Sequence, residues 1–198
     1  MSLRYFLPAY LFVYLLTAFI WRSFLVWKRT GINPVVFKGT DSAHDYIGLI
    51  FKLLFAVIVI VVLVYSSWPI GYRVLMPIQW LEQSVMRWIG VTLLMLSLVW
   101  TVLAQTQMGY SWRIGIDEEH RTALVAKGVF SVSRNPIFLG MIVTLVGLFL
   151  AIPNAATLLT LVIGFLLIQI QARLEEAFLA RVHGTEYEEY RRRVRRWL

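Results

Sequence analysis

The segment Gly128-Val129-Phe130-Ser131-Val132-Ser133-Arg134-Asn135-Pro136-Ile137-Phe138-Leu139-Gly140 opens onto an apolar run that turns at Pro153-Asn154 and returns to Arg173-Leu174-Glu175-Glu176. Its two apolar arms, about Ile137–Ile152 and Ala155–Ile170, are each short against the ~20 residues of a full membrane crossing. With a Pro-Asn pair between them they form a tight antiparallel hairpin. The arms must be helices, because hydrocarbon offers no partner to an unpaired backbone group. The hairpin sets Arg134 and an Asn-Pro helix start at one membrane edge, and an acidic pair where the chain comes back to that edge. Such an edge has a place for a carboxylate and a place for an ammonium.

Three further apolar segments precede the hairpin: about Pro8–Trp27, Ile47–Tyr65 and Val85–Ala104. The composition agrees with a membrane protein. Hydrophobic residues make up 59% of the 198, charged residues 15%, and the mean hydropathy is +0.71. The first segment is too long for a signal-peptide core and has no clear small-residue cleavage site, so it is expected to be retained. The chain therefore reads as a single all-α membrane domain over 1–198, with five transmembrane helices. Residues 1–104 supply three spans, and 105–198 supply a cytoplasmic loop, the hairpin and an amphipathic tail.

The absence of cysteine excludes a disulfide framework, a thiolate nucleophile and Cys-ligated zinc. His44, His120 and His183 stand far apart at no metal-ligand spacing, and no metal is expected. The net charge of +8 does not point to nucleic acid, because the charges flank apolar spans. All of the nineteen Lys and Arg residues except Arg4, Arg73 and Arg87 fall on one side of the five-span arrangement. The positive-inside rule then puts the N-terminus outside and the C-terminus in the cytoplasm. Arg22 and Lys52 sit near span ends and can snorkel. With no other ionisable group in mid-span, a proton relay, a charged ion path and a voltage sensor are all disfavoured.

At Arg134-Asn135-Pro136, Asn can cap a helix and Pro suits its first position. The free amides and positive dipole end attract an anion. A capped helix start with a snorkelling Arg explains the same residues. At the returning end Gln169, Arg173 and Glu176 share one helical stripe, and Gln171 and Glu175 an adjacent one. Either an internal Arg173–Glu176 pair or a ligand site accounts for them. In the tail a helix should stop at His183-Gly184, and Thr185 with Glu188 forms a capping box for the next. That last helix carries Tyr187, Tyr190, Val194 and Trp197 on one face, the pattern of an interfacial helix on anionic head groups. Trp112, Trp197, Tyr187 and Tyr190 read as interface-belt aromatics, and Asp117-Glu118-Glu119 as a solvated loop. His120 and His183 are assigned no catalytic role.

Taken together, Gly109–Trp112, Leu124-Val125, Gly128-Val129-Phe130, Arg134 to Gly140, Glu175-Glu176 and His183-Gly184 to Tyr190 resemble, in order, the isoprenylcysteine carboxyl methyltransferase family and the related phospholipid N-methyltransferases. The resemblance implies a membrane-embedded methyltransferase without a Rossmann sheet. Its S-adenosylmethionine would enter from the cytoplasm and its lipophilic substrate from the bilayer. The implied cofactor contacts are Thr122, Ala123, Leu124, Val125, Phe130, Asn135, Pro136, Ile137, Phe138 and Glu175. Arg134 joins them as the cation beside the helix start, in keeping with the zwitterionic head group of that cofactor. Gln171 or Arg173 would orient the acceptor, and Arg173 and Glu176 are the candidate catalytic pair. Asn135 replaces the family His, while Phe130 and Phe138 replace two tyrosines, which removes candidate bases from the cofactor side but leaves surfaces for packing. A membrane sterol reductase using NADPH, with a similar Arg-His-Pro-x-Tyr ending, is the alternative enzyme class. A non-enzymatic scaffold of the same fold is the third reading.

Overall fold

The computed structural model describes residues 2–36, 43–115 and 122–198. Six helices carry the architecture: α1 Leu3–Thr30, α2 Ala43–Ser67, α3 Ser84–Met108, α4 Pro136–Ala151, α5 Ala155–His183 and α6 Thr185–Arg193. Helices α1, α2, α3 and α5 are long and apolar enough to cross a membrane, and α4 is a shorter apolar helix. No strand occurs among the described residues. The chain is an all-α, multi-pass membrane protein.

The core is built from α1, α2, α3 and the end of α4. Leu7, Tyr10, Tyr14, Ala18, Val61, Val62, Leu94, Leu148, Ala151 and Ile152 are buried together. Helix α1 is α-helical except for a π-helical stretch at Leu16–Trp21. A π turn leaves carbonyls off the regular ladder, and the buried Gln105 of α3 donates its Nε2 to the Ala18 carbonyl at 2.9 Å. A second polar tie crosses the core where Thr144 donates to Ser97 Oγ at 2.9 Å, with Tyr10 Oη 3.3 Å from the same oxygen.

Helices α3 and α4 approach closely because glycines face each other. A Cβ at Gly90 would stand 2.5 Å from the Ala151 nitrogen and 2.7 Å from the Gly147 oxygen, and one at Gly147 would meet the Gly90 oxygen at 3.0 Å. Small residues let helix backbones meet where lipid supplies no hydrophobic drive.

The hairpin turn follows the Pro-Asn reading. Asn154 is fully buried and caps α5: Thr157 N donates to its Oδ1 at 2.9 Å while Asn154 N donates to Thr157 Oγ1 at 3.2 Å. The connector between α2 and α3 clasps this turn, with Ile78 N donating to the Pro153 carbonyl and Ala155 N to the Met76 carbonyl.

The helix stop expected at His183-Gly184 is present: α5 is one unbroken helix of 29 residues, Ala155–His183, that carries the apolar second arm and its polar continuation. Two expectations are corrected. The Thr185–Glu188 capping box does not form. Gly184, at φ +55°, ends α5 and begins α6 with no side-chain cap. The last helix is not laid on the bilayer by its aromatic face, because Tyr187 and Tyr190 are buried within the protein. The acidic run Asp117–Glu119, His120, Arg121 and Lys38 lie outside the described residues.

Candidate active site

The site forms where the ends of α3 and α5 meet the start of α4. Its first part is the corner Gly128–Asn135. Gly128 has φ +64°, a region that disfavours any side chain, and a Cβ there would collide with Gln107. The gap lets Gln107 Oε1 accept from the Val129 N–H at 2.7 Å. Val129 and Phe130 are thereby pressed against Ala104, with Val125 packed beside them. Trp100 of α3 holds the other side of the corner by donating its Nε1 to the Pro136 carbonyl at 2.8 Å.

Asn135 stands at the cap position and Pro136 at the first helical position, but the Asn135 side chain does not cap. Its Nδ2 donates instead to Glu176 Oε1 at 2.8 Å. Arg134 reaches the same carboxylate, its Nη2 standing 3.3 and 3.1 Å from Oε1 and Oε2. Arg196, from the tail, makes a two-pronged contact with it through Nε and Nη2, both at 2.9 Å. Two guanidiniums and an amide thus share one buried carboxylate, a geometry in which charge-assisted bonds replace lost hydration. The Glu176 hydrogen bonds hold the Arg196 pKa above its ordinary value.

The tail is stitched to the corner by its backbone as well. Arg134 N donates to the Arg195 carbonyl at 2.9 Å, Arg134 Nη1 to Arg191 and Val194 carbonyls, and Ser133 Oγ to the Arg196 carbonyl at 3.1 Å. Tyr190 Oη donates to the Phe130 carbonyl at 2.6 Å. Burial pushes the Tyr190 hydroxyl up to about 12 against the pull of Arg134, so it works as a neutral donor.

Beside this corner lies a cavity of about 580 Å³. Its polar end is lined by Arg134, Asn135, Gln171 and Glu175, with Lys52 and Arg113 also on its wall. From there it runs between the helices to a depth lined by Leu7, Tyr10, Tyr14, Leu94 and Leu148. Of the residues expected to bind cofactor, Phe130, Arg134, Asn135, Pro136, Ile137, Phe138 and Glu175 line it, and so does Gln171 from the acceptor group.

The remaining expected residues stand elsewhere. Thr122, Ala123, Leu124 and Val125 do not line the cavity; Ala123 accepts from Ser111 Oγ at 3.3 Å and Val125 packs behind Phe130. Arg173 is exposed and donates to Gln169, to the carbonyl at 2.6 Å and to Oε1 at 3.0 Å, so no Arg173–Glu176 pair forms. Glu176 faces the ion cluster and does not line the cavity. Trp112, read as an interface aromatic, is buried and lines the cavity. Arg196 and Ser133 had no place in the sequence reading. One arginine in a run of five carries no local mark of being the one that folds back.

A zwitterionic amino-acid group fits the polar end. The Arg134 Nε–H is buried with no partner among the described residues, a donor suited to a carboxylate, and the Glu175 carboxylate suits an ammonium. No group of three His, Cys, Asp or Glu suited to a metal ion occurs among the described residues.

Fold and site together define a helical membrane protein with a cavity polar at one end and apolar in its depth. Residues 85–186, just over half of the chain, match the phospholipid methyltransferase family model, and the chain belongs to that family of membrane methyltransferases, relatives of the isoprenylcysteine carboxyl methyltransferases. No curated protein and no solved structure matches the chain.

Proposed function

We propose that this protein is an S-adenosylmethionine-dependent integral membrane methyltransferase acting on a lipophilic acceptor, either an isoprenylcysteine-type carboxylate or a lipid head group. The observation that carries the reading is a cavity whose polar end has Arg134 and Glu175 and whose depth is apolar. Membership of a methyltransferase family supports the reaction class over the reductase alternative.

When bound, S-adenosylmethionine supplies an already activated methyl group. The chain's own residues then have to hold, orient and keep dry. Arg134 and Glu175 would hold the carboxylate and ammonium ends, while Phe130, Asn135, Pro136, Ile137 and Phe138 form the wall between corner and helix. Val125 would brace Phe130 from behind. Gln171, which lines the cavity, takes the acceptor-orienting role in preference to the exposed Arg173. Methylation of a carboxylate moves no proton. Methylation of an amine releases one, and Glu175 is the acidic side chain on the cavity wall that can receive it. The positive-inside bias puts the polar end on the cytoplasmic side.

The test is transfer of radiolabelled methyl groups to lipophilic acceptors. Purified protein in nanodiscs is incubated with labelled S-adenosylmethionine and either a farnesylated cysteine derivative or an aminophospholipid. Label entering the organic phase supports the reading, and its lability to alkali separates an ester from an N-methyl product. No label from either acceptor sinks the proposed acceptor class.

A further inference from the structure

We propose that Arg196 is a positioning residue of the site: through Glu176 it sets the geometry of Arg134 and Asn135, so that the last residues of the chain are part of the cofactor-binding machinery. The inference rests on the functional reading above. It concerns a residue outside the family-matched stretch 85–186.

Glu176 is the hub. Its side chain is 8% exposed, and its two oxygens take Arg196 Nε and Nη2 on one side and Arg134 Nη2 and Asn135 Nδ2 on the other. Arg134 and Asn135 line the cavity, whereas Glu176 and Arg196 do not. The outer pair therefore acts only through the inner pair. Arg134 already faces Glu176 within its own corner, so without Arg196 one guanidinium and one amide would share both carboxylate oxygens. The fork of Arg196 takes one oxygen with each prong and fixes the carboxylate in plane, with Asn135 on Oε1 and Arg134 nearer Oε2. The tail backbone adds to this placement. The Arg195 carbonyl accepts the Arg134 N–H at 2.9 Å, and the Arg196 carbonyl accepts Ser133 Oγ at 3.1 Å and Asn135 Nδ2 at 3.5 Å. Removing the Arg196 side chain thus loosens the residues that border the cavity's polar end.

The experiment compares S-adenosylhomocysteine binding by calorimetry with the thermal midpoint, for the full-length protein and the variants Arg196→Ala, Arg196→Lys and Arg192→Ala. Arg192 is exposed on α6 and serves as a charge-matched control. Arg196→Ala is expected to weaken binding tenfold or more at a temperature well below its midpoint. Arg196→Lys, which restores charge but not the fork, is expected to fall between the alanine variant and the native protein, and Arg192→Ala to bind like the native protein. If Arg196→Ala binds as tightly as the native protein, the positioning role is overturned, even if its midpoint falls. Should the alanine variant fail to fold, Arg196→Lys decides: native affinity overturns the role, and a severalfold loss supports it. Equal weakening by Arg192→Ala would also overturn it, since bulk tail charge would then explain the effect. Failure of the native protein to bind removes the functional reading and this inference together. Binding by the native protein and all variants alike removes only the inference.

Discussion

At the scale of single residues, two adjacent acids have different tasks. Glu175 borders the cavity, and Glu176 sits in a closed cluster of Arg134, Arg196 and Asn135. Breaking a buried, shared carboxylate leaves guanidiniums facing each other without compensation, which costs about 3–5 kcal/mol. Glu176→Ala is therefore expected to lower folding stability by roughly that amount, seen as a shifted denaturation midpoint in detergent. Glu175→Ala should leave the midpoint within about 1 kcal/mol of native, the size expected away from such networks. Arg134, Asn135, Pro136 and Glu175 could be picked out of the sequence because an Asn-Pro helix start and an acidic pair at the close of an apolar run stand out. The role of the Asn135 side chain could not, since a cap and a long-range bond to Glu176 draw on the same residue type. Tyr187 and Tyr190 were placed on the correct helical face. Periodicity shows that a face is covered, though not whether lipid or protein covers it.

At the scale of elements, glycines set how close α3 and α4 lie: Gly90 and Gly147 meet at the end away from the site, and Gly140, where a Cβ would collide with Thr101, lies nearer the site corner. Trp100 and Gln107, which hold the site corner, both lie on α3. Gly147→Val puts branched carbon where the Gly90 oxygen stands 3.0 Å from even a Cβ. The expected outcome is destabilisation of about 1–3 kcal/mol, as for overpacked cores, read by thermal unfolding. The five apolar segments were legible from hydropathy, but their ends were not. The hydropathy of the second arm fades near Ile170, yet α5 runs on to the glycine stop at Gly184, its polar last turns held by protein contacts such as Glu176 with Arg134 and Asn135. The π-helical stretch of α1 was equally hidden, since its counterpart is Gln105, 87 positions away from the Ala18 carbonyl it serves.

At the scale of the molecule, the bundle has two unlike ends. The site end gathers Arg22, which donates to the Gly109 carbonyl, Arg29, which donates to Tyr110 Oη, and the arginine-rich tail. The other end holds the connector clasped to the hairpin turn, with Arg73 in the connector and Arg4 and Arg87 near helix starts. From the charge bias we propose that the site end faces the cytoplasm. Because the native chain has no cysteine, single cysteines report topology directly. In right-side-out vesicles, Ser2→Cys is expected to react with a membrane-impermeant maleimide and Arg192→Cys only after permeabilisation; the reverse pattern would invert the orientation. The central claim is that Glu175 and Arg134 at the cavity's polar end hold the amino-acid group of S-adenosylmethionine. The most direct measurement is calorimetric titration of the native protein and Glu175→Ala with S-adenosylhomocysteine, with NADPH as comparator. Micromolar binding of the homocysteine compound by the native protein is expected, lost or weakened at least tenfold in Glu175→Ala and absent for NADPH. Native affinity in Glu175→Ala, or no binding by folded native protein, would contradict the claim.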